Sequence, residues 1–569
     1  MRRSWLLVLV LAWTLVPVPS ARSQEGSIHA DFNGDGVSDL AVGLPHEDVG
    51  SIQDAGAVSV IYGSLSGLIT TDQLWTQDSA MATSEAHDHF GWALAAGDFN
   101  GDNFDDLAIG APLEDVEVPG RAPPIPGETI DDAGAVYVLY GSDKQGLTAT
   151  GRQMIVQGGS LNGGVVEDEP ETGDGFGSAL AAGEFGRPSK GFGADDLAVG
   201  APLEDLSFAF FTLIPDAGAV NVLHGSSFLA DGLSARSDQF WHQCVVQPLT
   251  GFCTPGSLAD QAESSDGFGS SLAVANFGMD AEDDLAVGVP LEDVGGVNKG
   301  GAVNVIYGSN FRGLTVVGNQ FFTQDGLVNE SGDSSEDGDL FGWSLAGGDF
   351  NGDGFADLAV GAPAEDVGSE TRAGAVDVID GSSGGLSHMA TQFWTQDDIG
   401  SASEAGDNFG WSLATGDFGG SAHADLAVGA PFESLGQLID PIVAAGGVNA
   451  MYGSPGGLTD VGAQFWSQDV LTVVDDAEPD DLFGFALTTA DYGNGSQLDL
   501  AIGVMLEDTP VRNAGALNVL YGGASGLTDT GNQFWHQDSL DILDIGEEDD
   551  QFGEVLVDGG QGRHPVLLS

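Results

Sequence analysis

The sequence predicts an all-β fold, a seven-bladed β-propeller of four-stranded antiparallel blades. Three observations support this prediction: two motifs that each occur seven times, four strand-like segments in each repeat, and chain ends that complement each other. Consecutive copies of a motif are 67 to 92 residues apart. Such spacing indicates a repeated supersecondary unit rather than a single enzyme core.

The two motifs are Phe-Gly before a short apolar segment, and Asp-Leu-Ala-(Val/Ile)-Gly after an acidic turn. The first motif begins at Phe90, Phe176, Phe268, Phe341, Phe409, Phe483 and Phe552. The second motif begins at Asp39, Asp106, Asp196, Asp284, Asp357, Asp425 and Asp499. Because Gly, Asn and Asp favour turns, each pair of motifs predicts a β-hairpin.

Each repeat contains two further apolar segments typical of strands. In the repeat that begins at Phe90, the predicted strands are 90–99, 107–111, 133–140 and 153–157. Their lengths and their aliphatic and aromatic residues suit a sheet, and no segment has a helical period with caps. Four antiparallel strands in each of seven repeats describe a propeller.

The chain ends predict that the ring is closed. The first repeat begins at Asp31 without a Phe-Gly strand, and the last supplies an unmatched one, 552–557. We therefore expect the C-terminal strand to complete the N-terminal blade, which removes exposed sheet edges. Residues 24–569 are then one propeller domain.

The N-terminus is typical of a secretory signal peptide. Arg2 and Arg3 precede an apolar run, 5–16, that is too short to cross a bilayer. The predicted cleavage follows Ser23, and Ser20 is the alternative position. We expect a secreted chain with no membrane span. In an oxidising compartment Cys244 and Cys253 are predicted to form a disulfide.

The composition is strongly acidic. Asp and Glu number 87 against 14 Lys and Arg, which gives a formal net charge of −73. This charge repels nucleic acids and anionic membranes. It favours cations or a basic partner.

Three of the acidic turns have the pattern of a calcium site. Oxygen-bearing side chains occupy positions 1, 3, 5 and 9, and position 7 can offer its backbone carbonyl. The three sets are Asp31, Asn33, Asp35, Val37 and Asp39; Asp98, Asn100, Asp102, Phe104 and Asp106; and Asp349, Asn351, Asp353, Phe355 and Asp357. Calcium takes about 6–8 oxygen ligands in such flexible loops, so about three Ca²⁺ ions are predicted. An EF-hand is excluded because a strand follows, and the alternative interpretation is a solvated Asx turn.

The other four turns are less complete. Weaker or water-filled sites are expected at Asp280 and Asp284, at Asp417 and Asp425, and at Asp491 and Asp499. The third turn, from Glu184 to Asp196, contains an insertion with Arg187 and Lys190. No cation is expected there.

Phe-Gly, the Asp-rich turn and the Gly-Ala-Pro at 110–112, 200–202, 361–363 and 429–431 resemble the FG-GAP repeats of the integrin α-subunit propeller and of secreted bacterial proteins. The resemblance covers about residues 28–560. It implies a seven-bladed propeller that binds calcium in the loops between first and second strands. It does not imply integrin function, since no insert domain or Asp-x-Ser-x-Ser site is present.

Long insertions and two acidic patterns fall at the end opposite the acidic turns. A Glu-x-x-Asp precedes every Phe-Gly: Glu85/Asp88, Glu171/Asp174, Glu263/Asp266, Glu336/Asp339, Glu404/Asp407, Glu478/Asp481 and Glu547/Asp550. A Glu-Asp pair follows six of the seven second strands, and Glu433-Ser434 is the exception. The patterns can supply further cation sites or a docking ring for a basic partner, or they can order loops. Tryptophans recur at two positions of the repeat. They can form a platform for sugars, or they can pack between blades.

The leading functional hypothesis is an adhesion or protein-interaction module that binds an unknown protein or glycan ligand through this loop-rich acidic face. A glycan-binding lectin and a secreted hydrolase are the alternatives. Enzyme activity is not expected, because no nucleophile elbow, zinc motif or phosphate loop occurs.

Overall fold

The computed structural model describes residues 30–80, 82–116, 129–186, 194–208, 212–226, 232–244, 258–310, 312–328, 334–436, 441–470, 473–493, 495–539 and 542–557. Nearly all of its regular structure is β-strand. The helical segments in these ranges are α1 (Gln77–Ala80) and two 3₁₀ turns, Gln324–Gly326 and Gln396–Asp398. None of them is long and apolar enough to cross a membrane.

The strands are short, and most of those in the sheets are four to eight residues long. The first half of the chain contains β1 (Leu40–Leu44), β2 (Ala57–Ile61), β3 (Asp72–Trp75), β4 (Leu94–Gly97), β5 (Asp106–Ala111), β6 (Ala135–Tyr140), β7 (Thr148–Ile155), β8 (Ser160–Leu161), β9 (Gly164–Val165), β10 (Ala179–Gly183), β11 (Asp196–Ala201), β12 (Leu206–Phe208), β13 (Thr212–Ile214), β14 (Ala219–His224) and β15 (Ser234–Trp241). The second half contains β16 (Ser271–Ala275), β17 (Asp284–Val289), β18 (Ala302–Tyr307), β19 (Thr315–Phe322), β20 (Ser344–Gly348), β21 (Asp357–Ala362), β22 (Ala375–Ile379), β23 (Thr391–Trp394), β24 (Ser412–Gly416), β25 (Asp425–Ala430), β26 (Gly447–Ser454), β27 (Gly457–Trp466), β28 (Phe483–Ala490), β29 (Asp499–Val504), β30 (Ala516–Tyr521), β31 (Thr528–Trp535) and β32 (Val555–Val557).

Seven four-stranded antiparallel sheets form the blades of a propeller, as predicted. We number each blade by its Asp-Leu-Ala-(Val/Ile)-Gly strand. From the inner to the outer strand, the blades are β32-β1-β2-β3, β4-β5-β6-β7, β10-β11-β14-β15, β16-β17-β18-β19, β20-β21-β22-β23, β24-β25-β26-β27 and β28-β29-β30-β31. Two small hairpins, β8-β9 and β12-β13, lie outside these sheets.

The ring is closed by the C-terminal strand, which confirms the prediction. β32 pairs with β1 in antiparallel register, with Ala41 opposite Val557 and Gly43 opposite Val555. The inner strands contact each other in cyclic order, from β4 through β10, β16, β20, β24, β28 and β32 back to β4. Blade 1 is therefore a complete blade, made from both ends of the described chain.

Glycine pairs explain why the two sequence motifs recur together. A β-carbon at Gly43 of blade 1 would lie 2.2 Å from the carbonyl oxygen of Gly91, the Phe-Gly glycine of blade 2. The other six junctions repeat this contact, and the corresponding distances range from 2.0 to 2.3 Å. Adjacent blades therefore approach too closely for any side chain at this position. Gly91 also has φ +97°, a conformation that glycine adopts readily.

One predicted boundary is wrong: the Phe-Gly pair is not the start of the inner strand in six blades. In blade 2 the strand begins at Leu94 rather than Phe90, because Gly91 turns the chain first. The Phe90 N–H instead bonds to the Ala55 carbonyl of blade 1 at 3.1 Å. Only in blade 7 does the strand begin at the phenylalanine, Phe483. Phe-Gly is thus mainly a link between blades.

The tryptophans pack between blades, which confirms one of the two interpretations of their spacing. Trp343 of blade 5 lies 4.9 Å from Trp411 of blade 6, between ring centroids. Trp411 also contacts Phe432 and Phe485 at 5.5 Å each. The outer-strand tryptophans pack against or within the buried apolar clusters, among them Trp466 and Trp535.

Candidate metal sites at the two ends of the propeller

The first acidic turn is shaped by hydrogen bonds within its own nine residues. The Asp31 carboxylate accepts the N–H groups of Asp35 (3.0 Å) and Gly36 (2.9 Å), and Asp35 Oδ1 accepts the Val37 N–H at 3.0 Å. The turns at Asp98 and Asp349 repeat this pattern. A carboxylate has about four lone pairs, so these oxygens retain capacity for a cation. The predicted residues are therefore brought together locally.

The aspartate at position 9 ties each turn to the end of the third strand. Asp39 accepts the N–H groups of Phe32 and Gly63, both at 3.0 Å. The equivalent aspartates of all seven blades are fully buried: Asp39, Asp106, Asp196, Asp284, Asp357, Asp425 and Asp499. This position has a structural role whether or not a cation binds.

Burial disfavours ionisation of Asp39 and Asp357. Burial is the main cause that raises the pKa of Asp39 to about 8, and the charges of Asp31 and Asp35 contribute to this rise. Burial likewise raises the pKa of Asp357 to about 8, with added repulsion from Asp380 and Asp349. A nearby cation would favour the charged form. The turns therefore present clustered negative charge that a divalent ion can neutralise.

The turns of neighbouring blades are joined through an aspartate that the sequence analysis did not assign. Asp105 Oδ2 accepts the Asp31 N–H at 2.9 Å, and Asp195 Oδ2 accepts the Asp98 N–H at 2.9 Å. Asp105 and Asp195 directly precede the position-9 aspartates of the next blades, Asp106 and Asp196. Their signal in the sequence is the doubled Asp-Asp at 105–106 and 195–196.

The incomplete turns differ in a way that fits their expected weakness. In blade 3, Asp196 Oδ2 lies 3.3 Å from Nδ1 of the buried His224. Five other blades have a tyrosine where His224 stands: Tyr62, Tyr140, Tyr307, Tyr452 and Tyr521. In blade 6 the position-5 residue is Ser421, which accepts the His423 N–H and supplies no charge. Arg187 and Lys190 lie outside the described residues.

At the opposite end, the structure separates the two members of each Glu-Asp pair by function. The aspartate caps the loop between strands two and three: Asp48 accepts the Asp54 N–H at 2.9 Å, and Asp293 accepts the Lys299 N–H at 3.0 Å. At the exception in blade 6, Ser434 Oγ accepts the Ala444 N–H instead. These aspartates order loops, as one of the two interpretations expected.

The glutamate of each Glu-Asp pair lies at a blade junction. There it is close to the Glu-x-x-Asp motif that precedes the Phe-Gly of its blade. In four junctions, three carboxylates place one oxygen each within 4.8 Å of one another: Glu171/Asp174/Glu204, Glu263/Asp266/Glu292, Glu336/Asp339/Glu365 and Glu478/Asp481/Glu507. In each group one glutamate is exposed and the other two residues are buried. We call these groups the junction clusters, and each could hold a metal ion.

Burial and mutual repulsion dominate the electrostatics of the junction clusters. Burial is the main cause that raises the pKa of Asp266 to about 7 and that of Glu292 to about 9, and repulsion from neighbouring carboxylates contributes to both values. Asp481 and Glu507 behave alike, with pKa values of about 7 and about 9 from the same causes. The aspartate also accepts the N–H of its Glu-x-x-Asp partner, as in Asp266 with Glu263 at 2.5 Å.

A seven-fold glutamine was missed in the sequence analysis. The last Gln of the outer-strand motif donates its Nε2 to the junction glutamate of the next blade, as Gln243 does to Glu292 at 2.8 Å. The seven donors are Gln77, Gln157, Gln243, Gln324, Gln396, Gln468 and Gln537. The sequence feature that could have revealed it is the second Gln of Gln-Phe-Trp-x-Gln-Asp, which stands at the same position in each copy of this motif.

The predicted disulfide remains a prediction. Cys244 is buried at the end of the segment that follows β15. Its predicted partner, Cys253, lies outside the described residues, as does the predicted signal peptide, 1–23.

Comparison with known proteins supports the repeat assignment. The FG-GAP repeat family matches residues 29–61, 90–139 and 341–379, the segments that contain the three complete acidic turns. Integrin alpha-PS2 of Drosophila melanogaster is 33% identical over 183 residues, which cover 32% of this chain and 11% of the integrin. Phosphatidylinositol-glycan-specific phospholipase D of Homo sapiens is 37% identical over 180 residues, which cover 31% of this chain and 20% of the phospholipase.

The matched regions thus span a fifth or less of either relative. Among solved structures, a rhamnogalacturonan lyase from Bacillus licheniformis aligns with a TM-score of 0.27 and 11% identity, over 73% of this chain and 67% of the lyase. A likeness this low carries no argument about function. The motifs, the matched segments and the closed ring agree: the chain carries FG-GAP repeats, which fold as a seven-bladed β-propeller similar in sequence to integrin α-subunits.

Proposed function

We propose that this chain is a secreted, calcium-stabilised propeller that serves as a protein-interaction module of the adhesion type. The observation that carries the proposal is the aromatic cluster at the loop-rich end. Trp411 and Phe432 are half-buried there, beside the buried Trp343 and Phe485. Aromatic residues are enriched where proteins bind partners.

The charge around this cluster also favours a partner there. The loops around the cluster carry the acidic residues described above, which suits a partner with basic groups. A rigid closed ring would hold this surface in place.

Binding of the labelled chain to intact cells of its source organism tests the proposal. We expect saturable binding in calcium that falls about tenfold or more in Trp411→Ala and Phe432→Ser, in keeping with loss of an interface hot spot. Val461→Ser, on the exposed outer strand β27, is the matched control and should bind like wild type. Melting curves check that the variants are folded, since Trp411 also packs between blades.

Three outcomes would contradict the interaction role. If Trp411→Ala and Phe432→Ser bind as tightly as wild type, the aromatic cluster is not the binding surface. Selective binding on a glycan array would favour the lectin, and turnover in a hydrolase screen would favour the enzyme. Crosslinking to a defined surface protein would support the proposal.

Secretion has a separate test. The proposed signal peptide predicts that protein collected from the culture medium begins at Gln24, which N-terminal sequencing would show. A mature chain that retains Arg2 and Arg3 would contradict it.

A further inference from the structure

We infer that the loop-rich end of blade 1 carries a site for a transition-metal ion, of which Zn²⁺ is the natural example, formed by His46, His87 and Asp54 with Glu554 behind them. The site lies beside the strand that closes the ring. Its histidines have no counterpart in the sequence of the other six repeats. The inference depends neither on the proposed interaction role nor on the calcium turns, which lie at the other end of the propeller.

Four segments that are separate in the chain bring these side chains together. His46 follows β1, and Asp54 lies in the loop that leads to β2. His87 lies in the connection from blade 1 to blade 2, and Glu554 precedes the closing strand β32. His87 Nδ1 lies 3.0 Å from Asp54 Oδ2, and His46 Nδ1 lies 3.7 Å from Asp54 Oδ1. Two imidazoles therefore approach one carboxylate, one at each oxygen.

The contacts of His46 are too long for hydrogen bonds but suit the spacing of metal ligands. Its Nε2 lies 3.6 Å from Glu554 Oε2, so each ring nitrogen faces a carboxylate. Hydrogen bonds from nitrogen to oxygen are about 2.7–3.2 Å long, and a neutral imidazole has only one N–H to donate. Two ligands of a tetrahedral zinc ion with bonds of about 2.0–2.1 Å are about 3.3 Å apart. The two nitrogen–oxygen distances at Asp54, 3.0 and 3.7 Å, lie on either side of that value.

The donor set selects zinc over calcium. Zinc binds imidazole nitrogen together with carboxylate oxygen, whereas calcium takes oxygen ligands. His46 and His87 would bind through Nδ1 and Asp54 through one oxygen, which leaves a fourth position for water. The Glu554 side chain is 2% exposed and faces the other nitrogen of His46. A carboxylate in that place orients a ligand histidine and fixes its tautomer.

Packing holds one of the two imidazoles in place. The ring of His46 lies edge-on to His89, with 4.9 Å between centroids, and His89 lies edge-on to Trp92 at 5.6 Å. The side chain of His87, by contrast, is 58% exposed. Its ring can therefore turn toward an ion at His46 without loss of buried contacts. The site is partly preformed and is open to solvent on the side of His87.

Comparison of the repeats shows that these side chains are an addition to the blade and not a part of its framework. The position of His46 is apolar in the other six blades: Leu113, Leu203, Leu291, Ala364, Phe432 and Leu506. The position of Glu554 holds no ionisable residue in them: Trp92, Ser178, Ser270, Trp343, Trp411 and Phe485. In blade 6 the two positions are filled by Phe432 and Trp411, which are in contact. Since the fold accepts apolar side chains there, the imidazole and carboxylate of blade 1 indicate a separate role.

Zinc titration of the full-length chain by calorimetry tests the inference. The chain is first saturated with CaCl₂, so that the oxygen sites are filled, and ZnCl₂ alone is then added. We expect wild type to bind one zinc ion that His46→Leu and His87→Gly bind at least tenfold more weakly. Glu554→Ser should weaken it about tenfold, as loss of an orienting carboxylate does. These variants copy the residues of the next repeat, Leu113, Gly173 and Ser178, so the blade should still fold.

His423→Phe is the matched control. It removes a histidine at the opposite end of the propeller and copies Phe355, the residue at the same position of the turn in blade 5. This variant should bind zinc like wild type. If it loses as much affinity as His46→Leu, the binding is diffuse and the inference fails. The inference also fails if His46→Leu and His87→Gly bind zinc as tightly as wild type.

Anomalous diffraction at the zinc absorption edge, from wild-type crystals soaked in ZnCl₂, provides a second measurement that does not require the variants to fold. A peak within bonding distance of the Nδ1 atoms of His46 and His87 would support the inference. Peaks only among carboxylates, at the acidic turns or the junction clusters, would overturn it.

Discussion

The two ends of the propeller both concentrate carboxylates, but they do so in different ways. At one end, each candidate site lies within nine consecutive residues, as in Asp31 to Asp39. At the other end, each cluster takes residues from three segments, as with Gln243, Glu263 and Glu292. The first kind can be recognised in the sequence because its ligands are neighbours in the chain. The second kind exists only when two blades are placed side by side.

This difference predicts different behaviour on metal removal and on mutation. A turn site should report on its own blade, because its ligands belong to a single hairpin. A junction cluster should report on the contact between blades, because its side chains separate when that contact opens.

Removal of calcium should have the largest effect. Each site that binds only the folded state adds about 2.7 kcal/mol to the free energy of unfolding at about 100 times Kd, so three turn sites add about 8 kcal/mol. Thermal melting in saturating CaCl₂ and in chelator measures this difference. A change below about 1 kcal/mol, less than one site would supply, would contradict calcium binding at the turns.

Gly110→Ala should be the most damaging single change at a blade junction. Its β-carbon would lie 2.1 Å from the carbonyl oxygen of Gly177 in blade 3, and backbone cannot move aside as a side chain does. We expect a loss of about 3 kcal/mol in the free energy of unfolding, in calcium and in chelator alike. Gly384→Ala, whose β-carbon would lie 3.8 Å from Ser382 Oγ, is the control and should change little. Equal stability of both variants would mean that the blades do not meet through these glycines.

Asp353→Ala should act on its own turn and should be more damaging when calcium is present. It removes one proposed ligand, so about 2.7 kcal/mol of stabilisation should disappear in saturating calcium. In chelator only the hydrogen bond to Phe355 N–H is lost, which is worth about 1 kcal/mol. Ser421→Ala, at the same position of the incomplete turn in blade 6, should not depend on calcium. Equal losses for Asp353→Ala in both buffers would contradict the site.

The last prediction concerns the pH dependence of the stability of the metal-free chain, where the effect of a substitution is small per pH unit. The pKa of Asp39 rises from 3.8 to about 8 on folding because the carboxyl is buried. Between these values the folded state binds a proton that the unfolded state does not, so stability falls as pH rises from about 4 to about 8. Asp39→Asn should reduce this slope by at most about 1.4 kcal/mol per pH unit.

Chemical denaturation at several pH values would measure that slope, and the same series in CaCl₂ provides the contrast. Bound calcium holds the carboxylates ionised, so the dependence on pH should flatten. A metal-free wild type whose stability rises with pH over this range would contradict the burial argument for Asp39.

Much of the fold was predictable because its information is local and repeated. Seven copies of each motif fixed the number of blades, and the unmatched strand near Phe552 predicted the closure that β32 and β1 make. The start of the inner strand was not predictable from apolar character alone. Phe90 is apolar and Gly91 is small, like the residues of the strand that follows, but both of them contact blade 1.

The sequence by itself determined the repeat, the acidic turns and their order of completeness, because each of these is written in a contiguous stretch of chain. Only the tertiary structure decided what happens between blades. It placed Gly43 against Gly91, divided the Glu-Asp pairs into loop-capping aspartates and junction glutamates, and brought buried glutamines to those junctions. The physical reason is distance along the chain: residues about 20 to 50 positions apart, such as Gln243, Glu263 and Glu292, become neighbours only when one blade packs on the next.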